Sequence, residues 1–140
     1  QLTLSQKVAL SGAVIVTTPQ DIALLDAQKG IEMFLKVDVP ILGLVENMSV
    51  HVCVECGHRE HIFGSDGGQK LSSDYNIRTL ASLPLDRSIR EKSDSGRPIV
   101  VSLPDSEAAL CFDVAAKAIV ETLQLKEDRD DFPEIKILED

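Results

Sequence analysis

Three short apolar runs punctuate the chain, and between them hydrophobic residues recur at helical spacing. Gly12-Ala-Val-Ile-Val-Thr-Thr18 is a continuous, largely β-branched run that ends at Pro19, which is how a strand buried on both faces reads. Ile41-Leu-Gly-Leu-Val45 predicts a second buried strand, and Thr79-Leu-Ala-Ser-Leu83, stopped by Pro84, a third. Between the first two, Leu24, Ala27, Ile31, Phe34 and Leu35 share one face of a helix. Asp21 is the expected cap of that helix, since its carboxylate can accept from the free amides of a first turn. Gly30 weakens the helix by about 1 kcal/mol relative to alanine and is expected to allow close packing. Residues 69–75 predict a short helix and residues 89–95 a polar helical turn, broken by Gly96-Arg97-Pro98. Pro104-Asp105-Ser106 opens a last helix whose expected inner face is Ala109, Phe112, Ala116, Ile119 and Leu123. Leu2, Val8 and Leu10 suit the inner face of a short helix over residues 2–10. Alternating strand and helix predict an α/β fold with right-handed crossovers and a parallel, three-stranded sheet covered on both faces.

Size and composition narrow the function classes. A chain of 140 residues, 44% hydrophobic and 26% charged, is one domain or a piece of one, long enough to bury a core. Its apolar runs are too short to span a bilayer. The start, Gln-Leu-Thr-Leu-Ser-Gln-Lys, has no signal-peptide pattern and no initiator methionine, so the chain is expected to begin inside a longer protein. A net charge of −9 disfavours nucleic acid, whose binders need basic surface to displace counterions. Residues 126–140 carry seven acidic and three basic side chains and read as a solvated tail. Three cysteines, two of them three positions apart, do not form a secreted disulfide framework and point to a reducing cytoplasm. Cys111 lies in an apolar helix and is expected in the core.

The chemistry concentrates in residues 45–68. Cys53 and Cys56 can grip one metal ion or one edge of a cluster. His51, His58 and His61 flank the pair, so zinc held by this loop and a histidine, or by two such loops, is open. A thioredoxin-type redox pair is the third reading, but that motif opens a helix, and Gly57 with the polar run after it argues for a loop. Asn47 lies just past the carboxyl end of a buried strand, where ligands of open α/β sheets bind. Its carboxamide can donate and accept, as reading an adenine edge requires; a turn cap is the plain alternative. Pro84, Leu85 and Asp86 follow the third strand and read equally as a strand-ending turn. Gly64, Gly67 and Gly68 form a turn before a helix, a place that can bind anions, and are expected to act mainly as a hinge for the cysteine loop.

Taken together, Thr17-Thr-Pro-Gln-Asp21, Asp26-Ala-Gln-Lys-Gly30, Val45-Glu-Asn-Met-Ser49, Cys53-x-x-Cys-Gly57, Ile62-Phe-Gly64 and Leu83-Pro-Leu-Asp86 resemble, in order and spacing, the C-terminal half of the Mrp/ApbC family of P-loop ATPases. These are iron–sulfur cluster carriers related to MinD and the nitrogenase iron protein. The resemblance covers about residues 1–123, leaving residues 124–140 as an acidic tail. It implies a [4Fe–4S] cluster bridged between two subunits, because such a cluster needs four ligands and one chain offers two at this loop. A homodimer with the loop on its two-fold axis supplies the rest. It also implies an adenine contact from Asn47, a base-side loop at Pro84, Leu85 and Asp86, nucleotide and dimer proximity for residues 18–21, and apo iron–sulfur proteins as clients, with no membrane partner. A MinD-like positioning ATPase would want an amphipathic, membrane-targeting C-terminal helix, which the acidic tail with Pro133 does not suit. The family's Walker A loop and Asp-x-Pro-Pro-Gly-Thr motif do not occur in these 140 residues, so ATP and Mg are expected to need the segment that carries them. This chain alone is then expected neither to bind ATP tightly nor to hydrolyse it. Phosphate release above a protein-free blank, with this chain as the sole protein, is the contrary result.

Overall fold

The computed structural model describes Val8, residues 10–53 and residues 55–130; of the helix expected over residues 2–10, Val8 and Leu10 are described and neither is helical, Val8 being exposed rather than inward, while its other residues and the last ten residues of the acidic tail lie outside the described residues. The elements run β1 (Ala13–Thr17), α1 (Asp21–Lys36), β2 (Ile41–Glu46), β3 (His51–Val52), β4 (Arg59–Glu60), α2 (Gly67–Asp74), β5 (Thr79–Ser82), α3 (Arg87–Asp94), α4 (Ile99–Ser102) and α5 (Glu107–Asp130). β1, β2 and β5 form the expected parallel sheet in that spatial order. β3 and β4 are a separate antiparallel pair, His51 opposite Glu60 and Val52 opposite Arg59. Two-residue strands carry no readable period, so this hairpin was not expected.

β2 is buried on both faces, which explains its unbroken apolar run, whereas Val16 of β1 and both ends of β5 are exposed. Alternate residues of β2 serve opposite layers. Leu44 packs with Ile15, Ala27, Ile31 and Leu71 under α1 and α2. Val45 packs with Leu80, Leu83, Ala115 and Ala118 under α5. A third cluster of Ile99, Ala108 and Ala109 seats α4 against the start of α5.

Two helix faces differ from expectation by a residue or so. In α1, Ala27 and Ile31 are buried and Leu24 and Phe34 pack against them, but Leu35 is exposed. In α5 the buried residues are Ala108, Ala109, Ala115 and Ala118, while Ala116 faces solvent. Alanines mark a face weakly, since neighbouring positions of the same small size give similar periods. α5 also runs on to Asp130, past the end expected near Leu123. Cys111 is half-buried against the cluster under α5, close to its expected place.

Asp21 does not cap α1. It is the first helical residue, and Gln20 stands at the cap position without a side-chain hydrogen bond. The carboxylate of Asp21 can still favour the helix through the dipole. Nothing lies within 4 Å of where a β-carbon on Gly30 would sit, so the close packing expected there is not found. Gly30→Ala is therefore expected to stabilise the chain by about 0.5–1 kcal/mol, seen as a higher urea midpoint at unchanged slope.

Candidate metal centre

The cysteine pair forms the tip of the β3–β4 hairpin. The Cys53 N–H donates to the His58 carbonyl at 2.9 Å, and the Gly57 N–H donates to the Cys53 carbonyl at 2.8 Å. Gly57 takes φ 71°, a left-handed conformation that glycine adopts without a steric penalty. The Cys53 thiol is held below the usual thiol range by the Cys56 N–H, then the Glu55 N–H, then the Cys56 thiol, against a smaller opposing effect of burial. Amide N–H groups directed at sulfur stabilise a thiolate, which is the form that binds metal. Cys53 is half-buried and Cys56 exposed.

The histidines take other duties. His51 Nδ1–H donates to the Leu85 carbonyl at 3.2 Å, and His61 Nδ1–H donates to the Ser49 carbonyl at 2.8 Å. Carbonyls only accept, so each Nδ1 carries the proton and Nε2 is the nitrogen left for any ligand. His58 is exposed. Among the described residues, no three His, Cys, Asp or Glu side chains come together in a way that could hold a metal ion.

The hairpin is fastened to the sheet's carboxyl end. Leu85 N–H donates to Val50 O at 2.8 Å, Ser49 N–H to Leu83 O at 2.9 Å, and Ser49 Oγ to the same carbonyl at 3.0 Å. Leu85 also bridges His51 in parallel register. Arg59 of β4 pairs with Glu107 of α5 at 3.3 Å; both are largely exposed, so this pair orients more than it stabilises.

The expected base-side residues are divided between two places. Asn47 is half-buried; its N–H donates to Thr17 O at 2.7 Å and its Oδ1 accepts from the Met48 N–H at 3.0 Å. It lines a cleft of about 490 Å³ between β1 and α1, with Val14, Val16, Ala23, Ala27 and Phe34. Pro84, Leu85 and Asp86 do not line that cleft. Pro84 is buried, Leu85 is tied to the hairpin, and Asp86 Oδ1 accepts from Ser88 N–H at 2.7 Å as the cap of α3. Of the residues expected near the nucleotide at the end of β1, Thr18 lines the same cleft and its hydroxyl donates to Gln20 Oε1 at 2.9 Å.

Gly67 and Gly68, the first residues of α2, are tightly packed, contrary to a hinge, while Gly64, at φ 99°, has only Pro19 O within 4 Å of a β-carbon. A β-carbon on Gly67 would lie 2.6 Å from Leu24 Cδ1 and 2.9 Å from Pro19 O. One on Gly68 would strike the Glu46 carboxylate, whose Oε2 accepts the Gly68 N–H at 2.8 Å. A carboxylate from the end of β2 thus already occupies the amide end of α2, where an external anion had been conceivable. Glu46 was missed in the sequence; its signal was a single acid closing an otherwise apolar strand. With Ser49, His61, Asp66, Gln69 and Ser82 it lines a second cleft of about 540 Å³.

Comparison with known proteins bears on these loops. The family described as ParA, NUBPL iron-transfer P-loop NTPase, matches residues 1–120. The iron-sulfur cluster carrier protein of Pseudomonas fragi is 59% identical over 112 residues, covering 80% of this chain and 39% of the relative. The iron-sulfur cluster transfer protein NUBPL of Mus musculus is 53% identical over 124 residues, 89% of this chain and 39% of the relative. This chain thus spans well under half the length of these relatives. Among solved structures, the septum site-determining protein MinD of Pyrococcus horikoshii, complexed with Mg-ADP, superposes with a TM-score of 0.64 at 27% identity, over 83% of this chain and 44% of that one. The matched region contains the parallel sheet, the hairpin and the loops that hold it, and this chain belongs to the NUBPL iron-transfer P-loop NTPase family.

Proposed function

We propose that the chain is part of an ATP-dependent carrier that holds a [4Fe–4S] cluster on Cys53 and Cys56 of two subunits and delivers it to apo-proteins in a reducing compartment such as the cytoplasm. The observation that carries this reading is the turn: the Cys53–His58 and Gly57–Cys53 main-chain bonds place the half-buried Cys53 and the exposed Cys56 together at the tip of the hairpin. Two thiolates meet half the ligand requirement of such a cluster, so a homodimer completes it. The cluster is cargo, and these residues bind and release it. The names of the relatives point the same way.

Nucleotide control has a physical route in this proposal. In the whole protein Asn47, after β2, and the loop of Pro84, Leu85 and Asp86, after the neighbouring strand β5, would have to close together on the base, while the triphosphate and Mg need the Walker A segment. Leu85 is hydrogen-bonded to Val50 and His51. A shift of the 84–86 loop on nucleotide binding therefore moves the base of the cysteine hairpin.

The test is anaerobic purification, reconstitution with ferrous iron and sulfide, and measurement of both per chain, with particle mass by light scattering. One cluster per two chains is expected. A colourless protein with one zinc per dimer would replace the carrier with a zinc-stapled interaction module. A monomer that keeps a whole cluster unaided would end the proposal.

A further inference from the structure

Away from its core-facing side, α5 carries a second apolar stripe. Leu110 and Val114, one turn apart, are 52% and 54% exposed. Glu107 before them and Lys117 and Glu121 after them continue the same line at spacings of three and four residues. Leu103, in the turn that leads into α5, is exposed as well. An apolar strip with a polar border marks a place where another surface packs. We propose that this stripe is where a second copy of the chain packs, α5 against α5, and that the contact brings the two cysteine turns together.

Position, charge and spacing select a second copy over a client protein. Arg59 stands three residues after Cys56, on β4, and its guanidinium meets Glu107 at 3.3 Å. Leu110 is the next turn of the helix, a rise of about 4.5 Å. A cluster shared by two turns puts the two-fold axis at the hairpin tips, so the surface beside each hairpin faces its own counterpart. This step rests on the carrier reading.

Charge points the same way on its own. A net charge of −9 makes copies of the chain repel one another, so a self-contact needs a locally neutral surface. Every acid of α5 from residue 107 to residue 125 has a basic partner: Glu107 with Arg59 at 3.3 Å, Asp113 with Lys117 at 2.6 Å, and Glu121 with Arg78 at 3.6 Å. These exposed pairs add little stability, but they leave no net acid along the stripe. A basic client would find no excess of negative charge to bind there. The alternation of three and four is also that of a seam between helices, and not the two-residue period that an added strand would follow. Two apolar side chains per copy make a small contact, which a bridging cluster would reinforce.

The test places the photoreactive residue p-benzoylphenylalanine at position 110 of the 140-residue chain. Concentrated protein is irradiated before and after anaerobic reconstitution with iron and sulfide, and the products are read by peptide mass. A dimer-sized product linked within α5 of the second copy is expected in both samples, with more of it after reconstitution. Leu110→Asp sets two carboxylates face to face. It is expected to raise the dimer dissociation constant about tenfold or more, with an unchanged far-UV spectrum, and to lower cluster content per chain in step. Leu25→Asp is the control, since Leu25 is 54% exposed on α1, which packs on the other side of the sheet; its dissociation constant is expected to match wild type. No link between copies, a link outside α5, or a Leu110→Asp chain that dimerises like wild type overturns the proposal. If that wild type still holds one cluster per two chains, the carrier reading survives and another face makes the dimer. A chain linked through α5 that takes up no cluster supports the contact and refutes the carrier reading.

Discussion

Cys53→Ala or Cys56→Ala is expected to abolish cluster retention, while Cys111→Ala leaves it intact. The proposed cluster takes all four ligands from two copies of one turn. A single substitution is present in both subunits and removes two of the four. The remaining pair cannot hold a cubane core, which needs four, and no further group of three candidate ligands exists among the described residues to substitute. Cys111, half-buried in the cluster under α5, lies outside the turn. The expected readout after anaerobic reconstitution is loss of the broad thiolate-to-iron absorbance near roughly 400 nm, with iron and sulfide per chain falling to background. Light scattering on the same samples separates ligand loss from loss of the dimer. Loading should also weaken as the pH is lowered through the depressed thiol range of Cys53, because protons compete with iron for the sulfur. Full iron and sulfide content in Cys53→Ala would refute the ligand assignment outright.

How much of this was readable beforehand follows from length scale. β1, β2 and β5 were legible as short apolar runs, of which β2 is the one buried on both faces, and α1 because Leu24, Ala27, Ile31 and Phe34 repeat over two turns and more. The Cys53–Cys56 spacing was visible for the same local reason. What local pattern cannot carry is pairing across the fold. His51 finds its acceptor 34 residues away at Leu85, and Glu46 finds its donor 22 residues away at Gly68; neither leaves a periodic trace. The capping acids show the limit at short range too. Asp21 and Asp86 both precede helical sequence, yet only Asp86 is extended at the cap position, with φ −128° and ψ 131°, and accepts the Ser88 amide. Where the helix starts by one residue decides the role, and boundaries of that fineness depend on the approach of the preceding chain. The nucleotide-side expectation divides likewise. Asn47 is at a cleft, but Pro84 to Asp86 are turned toward the hairpin and α3.

The largest expected stability effect lies beneath the site, at Leu44. Its side chain is 0% exposed and sits on the central strand, where it touches the layer formed by Ile15, Ala27, Ile31 and Leu71. Leu44→Ala removes the transfer free energy of the lost carbons and leaves a cavity that the neighbouring β1, α1 and α2 must hold open. Such buried leucine truncations cost about 2–5 kcal/mol, and the sheet's parallel pairing on both sides of β2 restrains collapse and favours the upper half of that range. Folded domains are stable by only about 5–15 kcal/mol, so a large share of the total is at stake. Val16→Ala is the matched control: it lies on β1 at 61% exposure, and a change of at most about 0.5 kcal/mol is expected there. Urea unfolding at constant slope measures both. If Leu44→Ala leaves too little folded protein, the milder Leu44→Val serves, still expected to fall measurably below wild type. A Leu44→Ala midpoint within error of wild type would mean that β2 is not the centre of a packed sheet. The loops at its carboxyl end, with Glu46 and Asn47 among them, would then have no rigid base from which to hold the cysteine turn.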